Sequence, residues 1–290
     1  MRLFADLRYA FRTLAKSPGF AGIAILSLAL GIGANSAMFS YVDAMLLRPL
    51  PVPDSSRIVQ VDSTAPGTRL GRISYPDYVD LRERSETLSS LVCYQLFMAG
   101  VATTRDEVPR VNLAVIASGN FFSGLGIPIP LGRGFLPEED TVPGRDLVAV
   151  VSHSLWAREF GSDPKAIGRK LRLNGTEFTI VGVATPDFTG PEAFVLPEVY
   201  VPTQAFAQAI PDSKTELTAR GSRGFTLIGR MKPGVSAQQV QVQLSTVARR
   251  IAAQYPDTNR DRSVTVLDYR RARFENDPLD ATLSLTMMGV

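Results

Sequence analysis

The chain has little of what most enzymes use. Its 290 residues include one cysteine, one histidine and one tryptophan. With Cys93 alone no internal disulfide can form, and a chain of this length buries enough apolar surface to do without one. In its Val-Cys-Tyr setting Cys93 reads as a small core residue. His153 has no second histidine or cysteine cluster to share a metal and no serine motif to serve as a base, so metal and triad chemistry are not expected. No Gly-x-x-x-x-Gly-Lys-Ser/Thr run occurs, which excludes a P-loop nucleotide site. Gly31-x-Gly33-x-x-Ser36 lacks the preceding strand and third glycine of a dinucleotide loop. Lys and Arg number 31 against 28 Asp and Glu, a net charge of +3. That balance offers no basic field for nucleic acid. The acidic run Pro137-Glu-Glu-Asp140 has no spaced ligand loop after it and reads as a solvated turn. The sequence therefore predicts a chain that is not an enzyme, with no catalytic residue, metal or cofactor.

Charge is missing altogether from residues 17–42. An apolar run of that length exceeds the roughly 20 residues a helix needs to cross a bilayer core, and 18–48 is expected to be a transmembrane helix. Within it Ala29, Gly33 and Ala37 form a small-xxx-small row, as do Ser36, Ser40 and Ala44. Such rows let a second helix approach closely. Before it, 1–17 reads as an amphipathic helix lying on the membrane surface. Leu3, Leu7, Ala10, Phe11 and Leu14 share one arc, and Arg2, Arg8, Arg12 and Lys16 the opposite, basic one. Ser17-Pro18-Gly19 breaks it. Lys and Arg gather ahead of the span, so the N-terminus is expected in the cytoplasm and the remainder outside it. The rival reading is a secretory signal cut after Ser36, which would release or tether a binding module.

After a stiff exit at Arg48-Pro-Leu-Pro-Val-Pro53, strand and helix signals alternate. Residues 57–61 alternate as a strand, and Ser74 followed by Pro76 and Asp77 opens a helix that points Tyr78 and Leu81 inward. Runs 88–98 and 108–115 read as two strands. Residues 147–151 read as a buried strand, followed by a helix from the Ser152 cap to Gly161. Asn174-Gly175 lies between alternating runs, which predicts a type I′ hairpin burying Leu171, Leu173, Phe178 and Ile180. A strand at 224–231 precedes the capping box Ser236-Ala-Gln-Gln239. The helix that follows carries Val240, Leu244, Val247, Ile251 and Tyr255 on one stripe, and 263–267 is the last strand. Strand–helix–strand order thus appears at 58–98 and again at 224–267. This predicts an α+β domain made of 49–116 and 206–275, with a β-rich subdomain, 117–205, inserted between them. Residues 281–290 are apolar and read as the start of a second transmembrane helix.

Asp6-Leu-Arg-Tyr-Ala-Phe-Arg-Thr-Leu followed by Leu28-Ala-Leu-Gly-Ile-Gly-Ala-Asn-Ser-Ala-Met-Phe39 resembles the start of FtsX/MacB-type ABC transporter permeases. Leu47-Arg-Pro-Leu-Pro51, Ser74-Tyr-Pro-Asp-Tyr78, Arg169-Lys-Leu-Arg-Leu-Asn-Gly175, Lys232-Pro-Gly-Val235 and Tyr255-Pro-Asp-Thr258 continue the resemblance. Together they resemble the MacB-like periplasmic core domain, in the duplicated orphan-permease branch, over nearly the whole chain. The resemblance implies a permease subunit of the bacterial inner membrane with a two-lobed, Porter-like and Sabre-like, periplasmic domain. It implies four or eight transmembrane helices in the complete protein, of which this chain holds the N-terminal part. Its partners would be the lipid bilayer, the remaining helices, a separate cytoplasmic ATPase and a second copy or pseudo-copy, with no nucleic acid.

Overall fold

The structure, a computed structural model, describes residues 16, 18–46, 52–104, 106–192, 195–211, 213, 215–269 and 272, with the backbone alone for 38–46, 68 and 69. The amphipathic arm at 1–15, with Arg2, Arg8 and Arg12, and the apolar tail at 281–290 lie outside the described residues. The chain divides after Arg48 into two units.

The first unit holds helix α1, Pro18–Leu46, 29 residues long. Proline is tolerated at its first turn because that N–H has no intrahelical partner. At about 1.5 Å per residue α1 is roughly 43 Å long, against a hydrocarbon core of about 30 Å. Its large side chains lie open: Phe20, Ile23, Ile25, Leu26, Leu28, Leu30 and Ile32 are all exposed. By length and composition the stretch Pro18–Ala37 is long and apolar enough to cross a membrane.

The second unit is built on one sheet. In chain order its strands are β1 (Ile58–Ala65), β2 (Thr68–Gly71), β3 (Leu88–Ala102), β4 (Arg110–Ala117), β5 (Leu131–Gly132), β6 (Val148–Val151), β7 (Lys170–Leu173), β8 (Thr176–Val183), β9 (Val199–Pro202), β10 (Thr226–Met231) and β11 (Ser263–Asp268). The main path runs β11-β1-β10-β3-β4-β9-β6-β8-β5, with β2 on β1 and β7 bridging β3 and β8. The longer helices packed with it are α2 (Tyr75–Glu83), α3 (Phe121–Leu125), α4 (His153–Phe160) and α5 (Ala237–Gln254), and among the described residues two single turns, Phe206–Ala209 and Pro256–Asn259, are added to these. β1–α2–β3 and β10–α5–β11 interleave as β11-β1-β10-β3, the split β–α–β arrangement. The strands of 117–205 extend this same sheet through the parallel pairing of β9 with β4.

Local chemistry sets the elements. Ser74 Oγ accepts the Asp77 N–H at 3.3 Å and starts α2; Ser152 Oγ accepts the Leu155 N–H at 3.1 Å and starts α4. Ser236 and Gln239 close the reciprocal capping box at the head of α5. Asn174 and Gly175 take φ of 47° and 89°, the positive angles a type I′ turn demands. Leu171, Leu173, Phe178 and Ile180 are all buried behind it. The sequence gives no sign of α3, because five residues are too few to show a helical period.

Central strands are covered on both faces, which is why Ala114-Val-Ile-Ala117 and Val148-Ala-Val-Val151 read as unbroken apolar runs. Val59, Cys93, Ala114, Ile116 and Leu227 face one core with Tyr78, Leu81, Val240 and Leu244. Their neighbours Ile58, Val92, Val115 and Ile228 face the other, around Phe121, Phe122 and Tyr200.

Candidate functional site

Three arrangements tie distant parts of the second unit together. The first receives the chain after α1. Val52 is buried, and the Arg230 guanidinium on β10 donates to three carbonyls: Pro53 O at 2.8 Å, Gly124 O at 3.2 Å and Leu125 O at 2.6 Å. Arg57 lies beside it, bound to Asp54 Oδ2 at 2.8 Å and to Met231 O at 3.4 Å. Burial, and then the Arg57 charge, push the Arg230 pKa down. The carbonyls at the end of α3, which have no helical partner, receive a charge-assisted donor, and so does the entering chain. Pro53 is thereby clamped to β10 and α3.

The second arrangement fastens the chain before β10 to α2. Asp77 accepts from Arg220 at 2.6 Å, Arg223 at 2.9 Å and Asn259 at 2.9 Å. Asp80 accepts from Arg220 at 2.5 Å, and the Arg220 guanidinium lies 3.7 Å from the centre of the Tyr255 ring. Burial opposes the Arg220 charge, but the hydrogen bonds to Asp80 and Asp77 outweigh it and its pKa is raised. At Arg223 burial prevails and the pKa is lowered.

The third joins α2 to the turn at Pro137–Asp140. The sequence reads that acidic run as solvated, and this is corrected for two of its three carboxylates. Glu139 is buried and holds Arg133 at 2.6 and 2.9 Å. Asp140 accepts the Gly119 N–H at 2.7 Å, the Gln204 N–H at 3.1 Å and the Thr203 hydroxyl. Gln204 Nε2 in turn donates to the Tyr75 hydroxyl at 3.1 Å. Burial pushes the Asp140 carboxyl up, and burial with the Asp140 charge pushes Tyr75 up to about 12. Nothing in the sequence distinguishes exposed Glu138 from buried Glu139 and half-buried Asp140, because the partners lie up to 64 residues away.

The residues singled out from the sequence fall elsewhere. Ala29, Gly33 and Ala37 stand in one exposed row on α1, and a Cβ at Gly33 would meet nothing within 4 Å. Lys16 is helical and exposed. His153 stacks edge-on against Trp156, with ring centres 5.3 Å apart. Cys93 is fully enclosed, and burial pushes its thiol well up. Among the described residues, no group of three or more His, Cys, Asp or Glu side chains could hold a metal ion.

Comparison with known proteins agrees with this picture. The family model described as the MacB-like periplasmic core domain matches residues 21–247. The periplasmic region of MacB from Actinobacillus actinomycetemcomitans is similar in structure, with a TM-score of 0.54 at 12% identity, over 78% of this chain and 95% of that one. So is the extracellular domain of the noncanonic ABC-type transporter YknZ from Gram-positive bacteria, with a TM-score of 0.51 at 13% identity, over 72% and 99%. No curated protein matches the sequence. The matched residues reach from α1 into α5, over an α+β domain that follows one apolar helix, and on that ground the chain belongs to the family of the MacB-like periplasmic core domain, the periplasmic domain of MacB- and FtsX-like ABC permeases.

Proposed function

We propose that this chain is a permease subunit of an FtsX/MacB-type ABC transport or mechanotransmission system, not an enzyme, and that its extracytoplasmic domain couples motion of membrane helices to the handling of a cargo or partner. The Arg230 clamp carries this reading. It holds Pro53, where the chain enters the domain, to β10 in the middle of the sheet. Displacement of the entering chain is therefore passed to a sheet stiffened on both faces rather than lost in a loose linker. The N-terminus lies in the cytoplasm of a cell with its inner membrane around α1, and the domain lies outside. A separate cytoplasmic ATPase supplies the energy, and the working form is a homodimer or pseudo-dimer.

Orientation is tested by a reporter active only outside the cytoplasm, inserted after Pro66. Activity is expected; an inactive reporter in a well-expressed fusion overturns the topology. The helix-packing role of Ala29, Gly33 and Ala37 is tested by Gly33→Leu in the complete protein. A leucine on a small-residue face forces helices apart. Transport or resistance is expected to fall while the domain keeps its protease resistance. Full activity would reduce α1 to an anchor.

A further inference from the structure

A cleft of about 500 Å³ opens where β10 and β3 meet the chain entering the domain. Arg57, Arg230, Asp54, Ser90, Asn120 and Ser123 are among the residues that line it. Ser90 stands opposite Arg230 across β3 and β10, so the two side chains share one face of the sheet. Asp54 is the one carboxylate of the lining, and it is taken by Arg57 at 2.8 Å. Arg230 has three carbonyls for partners and no carboxylate. The lining therefore carries one positive charge that none of its own side chains balances.

Donors are left over as well. A guanidinium has five N–H groups; Arg230 gives three of them to Pro53 O, Gly124 O and Leu125 O, which leaves two. Arg57 gives two, to Asp54 Oδ2 and Met231 O, which leaves three. Ser90 Oγ accepts from Asn120 Nδ2 at 3.3 Å, so its own proton remains to be donated. A Cβ at Gly124 would collide with that oxygen, and only glycine lets the Ser90 hydroxyl keep its place. Burial and the Arg57 charge both work against the Arg230 cation. An anion between the two arginines would offset that repulsion and occupy the spare donors.

We propose that this cleft binds a phosphate ester, supplied by a phospholipid headgroup or by a soluble phosphate. A tetrahedral oxyanion accepts from several directions at once, and the planar fork of arginine matches it. A single carboxylate would fill one fork and leave the other arginine and Ser90 unused. The volume lies in the usual range of small-molecule sites, and the open mouth leaves room for the organic part of the ester. The inference goes beyond the transport reading and rests on no part of it.

The full chain in uncharged dodecyl maltoside micelles provides the test. One probe is glycerol 3-phosphate in solution; the other is phosphatidylglycerol added to the micelles, with diacylglycerol as its phosphate-free control. Phenylglyoxal modifies arginines, and peptide masses report the rate at each one. A probe at ten times its half-protecting concentration is expected to slow modification of Arg57 about tenfold, as occupancy of a single site requires. Arg250, exposed on α5, is expected to react unchanged. The probe that protects at the lower concentration identifies the source: glycerol 3-phosphate a soluble ester, phosphatidylglycerol the headgroup. No protection by either overturns the proposal, and so does equal protection of Arg57 and Arg250, which reports charge screening alone. Ser90→Ala keeps both arginines and removes one donor. It is expected to raise the half-protecting concentration about tenfold, the scale of a hydrogen bond to a charged group, and an unchanged value overturns the site. The assay needs neither transport nor a membrane orientation, so its failure leaves the permease reading as it stands.

Discussion

Asp77→Ala is expected to destabilise the α+β domain by about 3–5 kcal/mol, the cost of breaking a buried ion pair from one side. The Asp77 side chain is 6% exposed, and those of Arg220 and Arg223 are 16% and 13% exposed. Removing the carboxylate leaves Arg223 without its ionic partner and Arg220 with Asp80 alone. Asn259 Nδ2 loses its acceptor as well. Urea unfolding followed through Trp156, the only tryptophan, measures the change. A loss below about 1 kcal/mol, the scale of an exposed pair, would show that water already screens the cluster. Replacing Asp77, Arg220 and Arg223 together by apolar residues of similar volume should recover much of the loss, because a buried pair removed whole takes its desolvation cost with it.

Leu244→Ala is expected to cost about 2–5 kcal/mol. Leu244 is completely buried, midway along the stripe of Val240, Val247 and Ile251 on α5. The capping box holds the head of the helix and Pro256 follows its end, so α5 cannot slide to fill the space left behind. The cavity term therefore adds to the lost transfer energy of the side chain. The same urea melts decide it, and a shift within experimental error would mean that the stripe does not face the sheet.

What could be read from the sequence is what neighbouring residues decide. The caps at Ser74, Ser152 and Ser236 and the turn at Asn174-Gly175 lie within four residues of the groups they bind. The stripe on α5 repeats within a single helix. Each was legible and each is present. β3 runs four residues past the 88–98 expected for it, because Val101 pairs with Arg110 and the hairpin continues beyond the apolar run. The three fastenings of the domain were not legible. Asp77 meets Arg220 across 143 residues, Arg230 meets Pro53 across 177, and Asp140 meets Gln204 across 64. No local pattern marks an arginine that will bind three carbonyls or an aspartate that will be enclosed. Sheet order was equally hidden: β6 and the β7–β8 hairpin could be recognised, β5 could not, and nothing marked β9 as the neighbour of β4.

The place of β1 between β10 and β11 governs how the domain is assembled. Ile58 lies opposite Arg230 and Val59 opposite Asp268, so the earliest strand depends on the two latest. A chain made from its N-terminus presents β1 with only β2 beside it while more than half of the domain is still to come. Pairings this remote in sequence are slow to form, because the closure of a long loop precedes any gain from the contact. The frame is therefore expected to close only once β10 and β11 have been made, with β1 an open strand until then.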